Sequence, residues 1–275
     1  MNIDSHQHFW KYDPVKNSWI EDHMKVIRRD FLPLDLQPIL KKNAIDGCIA
    51  VQADQSEAET EFLLSLAENN SFIKGVVGWV DLKAENIEER LAYFARFEKL
   101  KGVRHIVQAE PDDYMLDEKF QRGISLLKQF DLTYDILVFP SQLPASIELV
   151  NKFPNQKFVV DHIAKPLIKE GKIENWKKNM ESLAKSLNVM CKISGMVTEA
   201  DWNSWKSKDF DPYLDVIFNA FGANRILFGS DWPVCLLAAE YQQQLEIVEN
   251  YISHLPNEVQ DKIMGGNAIN FYSIK

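Results

Sequence analysis

Ile3-Asp4-Ser5-His6-Gln7-His8-Phe9-Trp10 opens the chain, and Ile226-Leu227-Phe228-Gly229-Ser230-Asp231-Trp232-Pro233 stands near its end. The first stretch reads as an apolar strand with histidines at i and i+2. That spacing puts both imidazoles on one side of the strand, where they can aim at one point. The second reads as an apolar strand that finishes in an acid. A lone carboxylate there carries a desolvation penalty unless it meets a cation, a donor or water. Its other use, as a helix N-cap, is weakened by Trp232-Pro233, which delays any helix. A fold whose first and last strands are neighbours joins the histidine pair to Asp231. A closed eight-stranded α/β barrel is such a fold, and its chemistry sits where the strands end.

The rest of the chain has the matching rhythm. Strand-length apolar runs fall at 2–8, 45–52, 73–80, 101–108, 132–139, 157–163, 189–194 and 225–230. Amphipathic stretches lie between them at 34–43, 57–70, 85–99, 117–129, 143–152, 173–187, 211–221 and 239–254. Eight strands, each followed by a helix, predict a (β/α)8 TIM barrel of the α/β class occupying 1–275 as one domain. No GxGxxG or GxxxxGK stretch opens a helix, which leaves nucleotide binding without support. A last helix over 256–264, with Pro256 in its first turn, is expected on the outside of the barrel.

Composition narrows the function classes. Hydrophobic residues make up 46% of the 275, enough for a large core, and the net charge of −9 disfavours nucleic acid as a partner. Cys48, Cys191 and Cys235 lie in or beside apolar strand patterns and read as reduced thiols. The opening residues show no basic run followed by an apolar one, and no run of 18 apolar residues occurs. The expectation is a cytoplasmic protein with no membrane partner and a small-molecule substrate. Assembly into a homo-oligomer is left open.

Several residues stand where strands end. Asp161 and His162 are adjacent, so they face opposite ways while the sixth strand lasts, and Lys165 can reach back over the barrel mouth. Arg104 and His105 must also diverge. One enters the mouth and the other supports the wall, and the sequence leaves open which. An inward arginine would grip a carboxylate or a polarised carbonyl. Lys192, unusual inside an apolar strand, reads as a lumen residue paired with an acid or as a side chain snorkelling between helices. Cys235 follows Asp231 closely but is not read as a nucleophile. Two long connections, 9–32 and 195–210, follow strand C-termini and carry Trp10, Tyr12, Trp19 and His23, and Glu199, Trp202 and Trp205. Their rings either offer a stacking face for a sugar or flat acid, or anchor the loops.

The segments IDSHQHFW (3–10), GWVDL (78–82), GVRHIVQ (102–108), DHIAKP (161–166), KISGM (192–196) and FGSDWPV (228–234) together resemble the amidohydrolase superfamily. The nearest branch is that of sugar-lactone hydrolases acting on L-fuconolactone and L-rhamnono-lactone. The resemblance implies a distorted (β/α)8 barrel and hydrolysis by an activated water. It assigns His6 and His8 to the first-strand metal-ligand pair, His162 to the sixth-strand histidine and Asp231 to the last-strand proton-transfer residue, which is also a third ligand. The chain departs from the two-metal members, having no histidine on the fifth strand and no lysine on the fourth. One divalent ion, zinc first, or none is therefore expected. The implied substrate is a five- or six-membered sugar-acid lactone. Asp231 takes the water's proton, and an ion, or His162 with Arg104 or His105, stabilises the oxyanion. Trp19, Trp202 or Trp205 would stack on the sugar, with Gln52, Lys165 and Glu199 reading its hydroxyls. A metal-dependent non-oxidative decarboxylase and a non-catalytic sugar-acid-binding barrel are the rival readings.

Overall fold

A computed structural model describes residues 1–275. Eight parallel strands pair in sequence order: β1 Ile3–Gln7, β2 Gly47–Val51, β3 Ile73–Gly78, β4 Leu100–Ile106, β5 Thr133–Leu137, β6 Phe158–Val160, β7 Val189–Ile193 and β8 Ile226–Phe228. The helices between them are α1 Pro33–Lys42, α2 Glu57–Asn69, α3 Ile87–Phe94, α4 Glu118–Leu127, α5 Leu143–Lys152, α6 Glu174–Leu183, α7 Asp211–Phe221 and α8 Tyr241–Ile252. This is the (β/α)8 barrel the alternation predicts. The helices form where a cap and an apolar stripe coincide. In α4, Asp117 accepts the amides of Lys119 and Phe120, and Phe120, Ile124 and Leu127 supply the buried face. Each helix lays such a face on the outer side of the strands. No helix is long and apolar enough to cross a membrane.

Closure between β8 and β1 is made just beyond β8 rather than by a full ladder. The amide of Asp231 donates to the carbonyl of His6 at 2.8 Å, and that of His8 to Trp232 at 2.7 Å. The residues that seal the barrel are thus the candidate site residues or their immediate neighbours. Ser5 Oγ adds a bond to the Phe228 carbonyl at 2.6 Å.

Asp4 clamps the same seam. Its carboxylate accepts the amides of His6 (3.1 Å) and Ser230 (2.9 Å), the Ser230 hydroxyl (2.6 Å) and the Tyr241 hydroxyl (3.1 Å). Burial pushes this carboxyl up to about 6, and the four donors pull against that rise. Asp4→Ala leaves all four donors without their acceptor and should lower unfolding stability by about 3 kcal/mol at pH 8. Asp4→Asn, which keeps an acceptor oxygen, should lose much less. Denaturant melts of the two variants check this, and equal losses would assign the effect to the carboxylate's charge rather than to its place as an acceptor.

The base of the barrel holds a difference from expectation. Only Asn257–Asp261 (α9) of the 256–264 stretch is regular α-helix, and it has no fully buried residue, with Val259 packing partly buried against the core. The chain then passes through a wide turn at Lys262–Gly266 into α10, Asn267–Phe271. Ala268, Phe271 and Tyr272 enter the barrel and close its lower end against Ile3, Ile49, Val51, Val77, Val159 and Leu227. Gly265 permits this, since a Cβ there would collide with the Met1 carbonyl. The apolar stripe that drives the plug lies past the point where the sequence pattern fades.

Candidate active site

The mouth is built from strand ends. β1 carries His6 and His8 inward together, with Nε2 atoms 3.2 Å apart. His8 Nδ1 lies 2.8 Å from the Val51 carbonyl, which makes it the N–H donor and leaves Nε2 as the lone pair facing the mouth. Asp231 Oδ1 sits 3.3 Å from His8 Nε2, 3.9 Å from His6 Nε2 and 3.8 Å from His162 Nε2. The two ends of the chain therefore meet in one pocket.

β6 departs from its expected length. It stops at Val160, and His162, Ile163, Ala164 and Lys165 then adopt left-handed φ values of 52°, 47°, 57° and 47°. This turn removes the alternation, so Asp161 and His162 both face inward. His162 packs against His6 with ring centroids 4.3 Å apart and lies 2.9 Å from Ser194 Oγ through Nδ1. Gly195 leaves the room for it: at φ 59°, a Cβ would press on His162 Nδ1 at 2.5 Å.

Asp161 is a site residue that the sequence reading did not select. Its carboxylate lies 3.3 Å from His6 Nδ1, 3.0 Å from Arg104 Nη1 and 3.0 Å from Lys192 Nζ. Lys192 also reaches Asp135 Oδ2 at 2.5 Å, and Tyr272 of the basal plug donates to that same oxygen at 2.8 Å. Lys192 is thus the lumen residue paired with acids, the first of its two readings. The signal was charge counting: two inward cations, Arg104 and Lys192, need buried acids, and Asp135 and Asp161 stand on the strands between them.

Of the fourth-strand pair, Arg104 enters the mouth and His105 does not. Arg104 Nη1 comes within 3.3 Å of His6 Nε2, and Nη2 donates to the Gln52 carbonyl. His105 is turned to the helix side. There it accepts from Trp79 Nε1 at 3.2 Å, meets Glu110 at 3.0 Å and stacks on Tyr114 at 4.8 Å. Strand parity excludes it from the cluster, which corrects its selection as a site residue. Gln52 donates its side-chain amide to the Arg104 carbonyl at 3.2 Å, so it braces the arginine from β2.

The long loops meet above the mouth. His23 stacks on Trp202 at 5.5 Å, and Trp205 Nε1 donates to the Ala238 carbonyl at 2.8 Å. Trp202 Nε1 donates to Thr198, and half-exposed Trp19 packs edge-on against Trp10 at 5.9 Å. Lys165 pairs with Glu199 at 2.6 Å. None of these loop residues hydrogen-bonds to the His6–His8–Asp231 cluster.

Electrostatics favour a base at Asp231. Burial pushes its carboxyl up, but His162, His8 and Lys165 outweigh burial and hold it below the usual carboxylate range. Burial drives His6 and His162 well below the ordinary imidazole range, so both are neutral. Asp161 is also held low, since Lys192, His6 and Arg104 overcome its burial. Cys235 is buried and its thiol is pushed up by burial and by Asp231, which removes it as a nucleophile.

The donor set suits a metal. His6 Nε2, His8 Nε2 and Asp231 Oδ1 stand 3.2, 3.3 and 3.9 Å apart. Neighbouring ligand atoms around tetrahedral zinc, at bond lengths of about 2.0–2.1 Å, are about 3.3 Å apart. A second group, His6, Asp161 and His162, shares the first histidine. Arg104 Nη1 must give up His6 Nε2 for the first group to close on an ion.

Comparison with known proteins identifies the family. The chain is 40% identical to an L-fucono-1,5-lactonase of Burkholderia multivorans, over all of this chain and 96% of that protein. It is 36% identical to an L-fucono-1,5-lactonase of Burkholderia ambifaria, over 99% of this chain and 95% of that one. A crystal structure of an amidohydrolase from Burkholderia multivorans with bound zinc superposes with a TM-score of 0.97 at 40% identity, covering 100% of both chains. The amidohydrolase family pattern matches residues 3–274. The chain belongs to the amidohydrolase family.

Proposed function

We propose that this protein opens the ring of a sugar-acid lactone, with L-fucono-1,5-lactone as the first substrate to test and Asp231 as the proton acceptor. One observation carries the residue assignment: an ionised, nearly buried carboxylate faces three imidazole nitrogens at 3.3–3.9 Å where β1, β6 and β8 end. Whole-length identity to lactonases supports the reaction class.

A water beside Asp231 Oδ1 attacks the ring carbonyl. Its proton passes to the carboxylate, and the new C–O bond forms as the carbonyl oxygen becomes an oxyanion. Arg104, braced by Gln52 and Asp161, supplies positive charge at the mouth, and His162 supplies a positioned imidazole. The ring C–O bond then breaks, and Asp231 returns the proton to the departing oxygen. A divalent ion such as zinc, held by His6, His8 and Asp231, would supply a Lewis acid at the carbonyl. Trp19 and Trp202 offer faces for the sugar ring, and Lys165 and Glu199 offer polar groups for its hydroxyls.

A panel of aldonolactones assayed with a pH indicator, with and without chelator, tests this reading. The L-fucono-lactone should open among the fastest. If the metal carries the oxyanion, chelation should lower the rate at least a hundredfold, and elemental analysis should find about one ion per chain. Full activity in stripped protein would assign the oxyanion to Arg104 and His162. Release of carbon dioxide without lactone opening, or tight sugar-acid binding without turnover, would overturn the proposal.

A further inference from the structure

Lys165 differs from the other cations of the mouth. Arg104 and Lys192 are committed to Asp161 and Asp135, carboxylates with no solvent exposure. Lys165 instead pairs with Glu199 at 2.6 Å, and the two side chains keep 16% and 17% of their surface exposed. The pair bridges two strand ends. Lys165 follows the left-handed turn that presents His162, and Glu199 closes the short turn Val197–Glu199 after β7. The Lys165 amide donates to the His162 carbonyl at 2.8 Å, which ties this residue to the cluster, and its charge acts on both Asp231 and His162.

Lactone opening changes the charge of the ligand. A neutral ring enters; at neutral pH an aldonate carboxylate and a proton leave. A new carboxylate formed beside Asp231 is repelled by it; Arg104 at the same mouth is already paired with Asp161, and the partly exposed cation is Lys165. Glu199 already occupies that cation.

We propose that Lys165 and Glu199 form a product-release pair, in which Glu199 competes with the newly formed aldonate carboxylate for Lys165 and keeps product affinity low. The uncharged lactone meets the pair only through its hydroxyls and brings no charge to this competition. The inference rests on the lactone-opening reading and adds to it the handling of an anionic product.

The test measures product affinity directly. The aldonate salt made by opening the tested lactone is titrated by calorimetry into the wild type, Glu199→Gln and Lys165→Met, and its inhibition constant is read beside the KM of the neutral lactone. Glu199→Gln should bind the aldonate about tenfold more tightly, and Lys165→Met about tenfold more weakly, with lactone KM moving less than product affinity in both. The gain in Glu199→Gln should shrink at high salt. If Glu199 only reads a sugar hydroxyl, Glu199→Gln weakens lactone and aldonate together, and the proposal falls. Unchanged aldonate affinity in both variants also overturns it. Because calorimetry needs no turnover, failure of the lactonase reading shows separately, as absent hydrolysis by the wild type.

Discussion

Asp231→Asn should reduce kcat for lactone opening by about a thousandfold while leaving the fold unchanged. The substitution suits the site unusually well. Asp231 has φ 59°, a left-handed conformation that asparagine tolerates about as well as aspartate, whereas most other residues would add strain. Its amide still donates to the His6 carbonyl, so the β8–β1 seam survives. The amide side chain matches the carboxylate in shape, and its NH2 group can donate to the His8 Nε2 lone pair. What is lost is the charge that His162, His8 and Lys165 hold in place, and with it the ability to accept a proton. Melting within a few degrees of wild type, together with the rate loss, would locate the effect in chemistry. A variant with near-normal turnover would transfer the base role elsewhere, and Asp161 would be the next carboxylate to test.

The barrel was legible because its signal is periodic. Apolar runs alternate with amphipathic stretches from Ile3 to Ile252; seven of the eight expected strands contain an observed one, and β4 starts one residue ahead of its expected 101. The meeting of His6, His8 and Asp231 was legible for a topological reason: sequence-ordered parallel strands must bring first and last together. What stayed hidden depends on single turns. Strand parity holds only while a strand continues, and β6 ends three residues before the expected 163, so Asp161 swings inward beside His162. Parity did hold on β4, where it separates Arg104 from His105, but its phase needs the neighbouring strand. Arg104 pairs in register with Asp135, the acid that receives Lys192. The basal plug was missed because Ala268 and Phe271 belong to a five-residue helix, and Tyr272 follows it, too short a stretch to show a period.

Lys192→Met should be the most destabilising of the substitutions considered, lowering unfolding stability by about 3–5 kcal/mol near pH 8. Methionine matches the length of the lysine stem and keeps its packing. The charge, however, is lost from a point 2.5 Å from Asp135 and 3.0 Å from Asp161, both without solvent exposure. Two acids then share the lumen with only Arg104 on one of them. Burial already pushes the Asp135 carboxyl up to about 6 with Lys192 present; removing the cation moves Asp135 further up and raises Asp161 from its low value. An acid whose folded value lies above its unfolded value contributes stability that is present below the unfolded value and is lost as pH rises through the folded one. The gap between variant and wild type should therefore be narrow near pH 5 and wide near pH 8. Lys192→Met combined with Asp135→Asn removes one of the stranded charges and keeps an acceptor for the Tyr272 hydroxyl, so the double variant should recover part of the loss. It should not recover full turnover, because Lys192 Nζ also lies 3.2 Å from His6 Nδ1 and helps fix that ring against Asp161. Denaturant unfolding at the two pH values decides the point: a pH-independent loss, or one below about 1 kcal/mol, would mean that water enters the lumen and solvates the acids in place of the lysine.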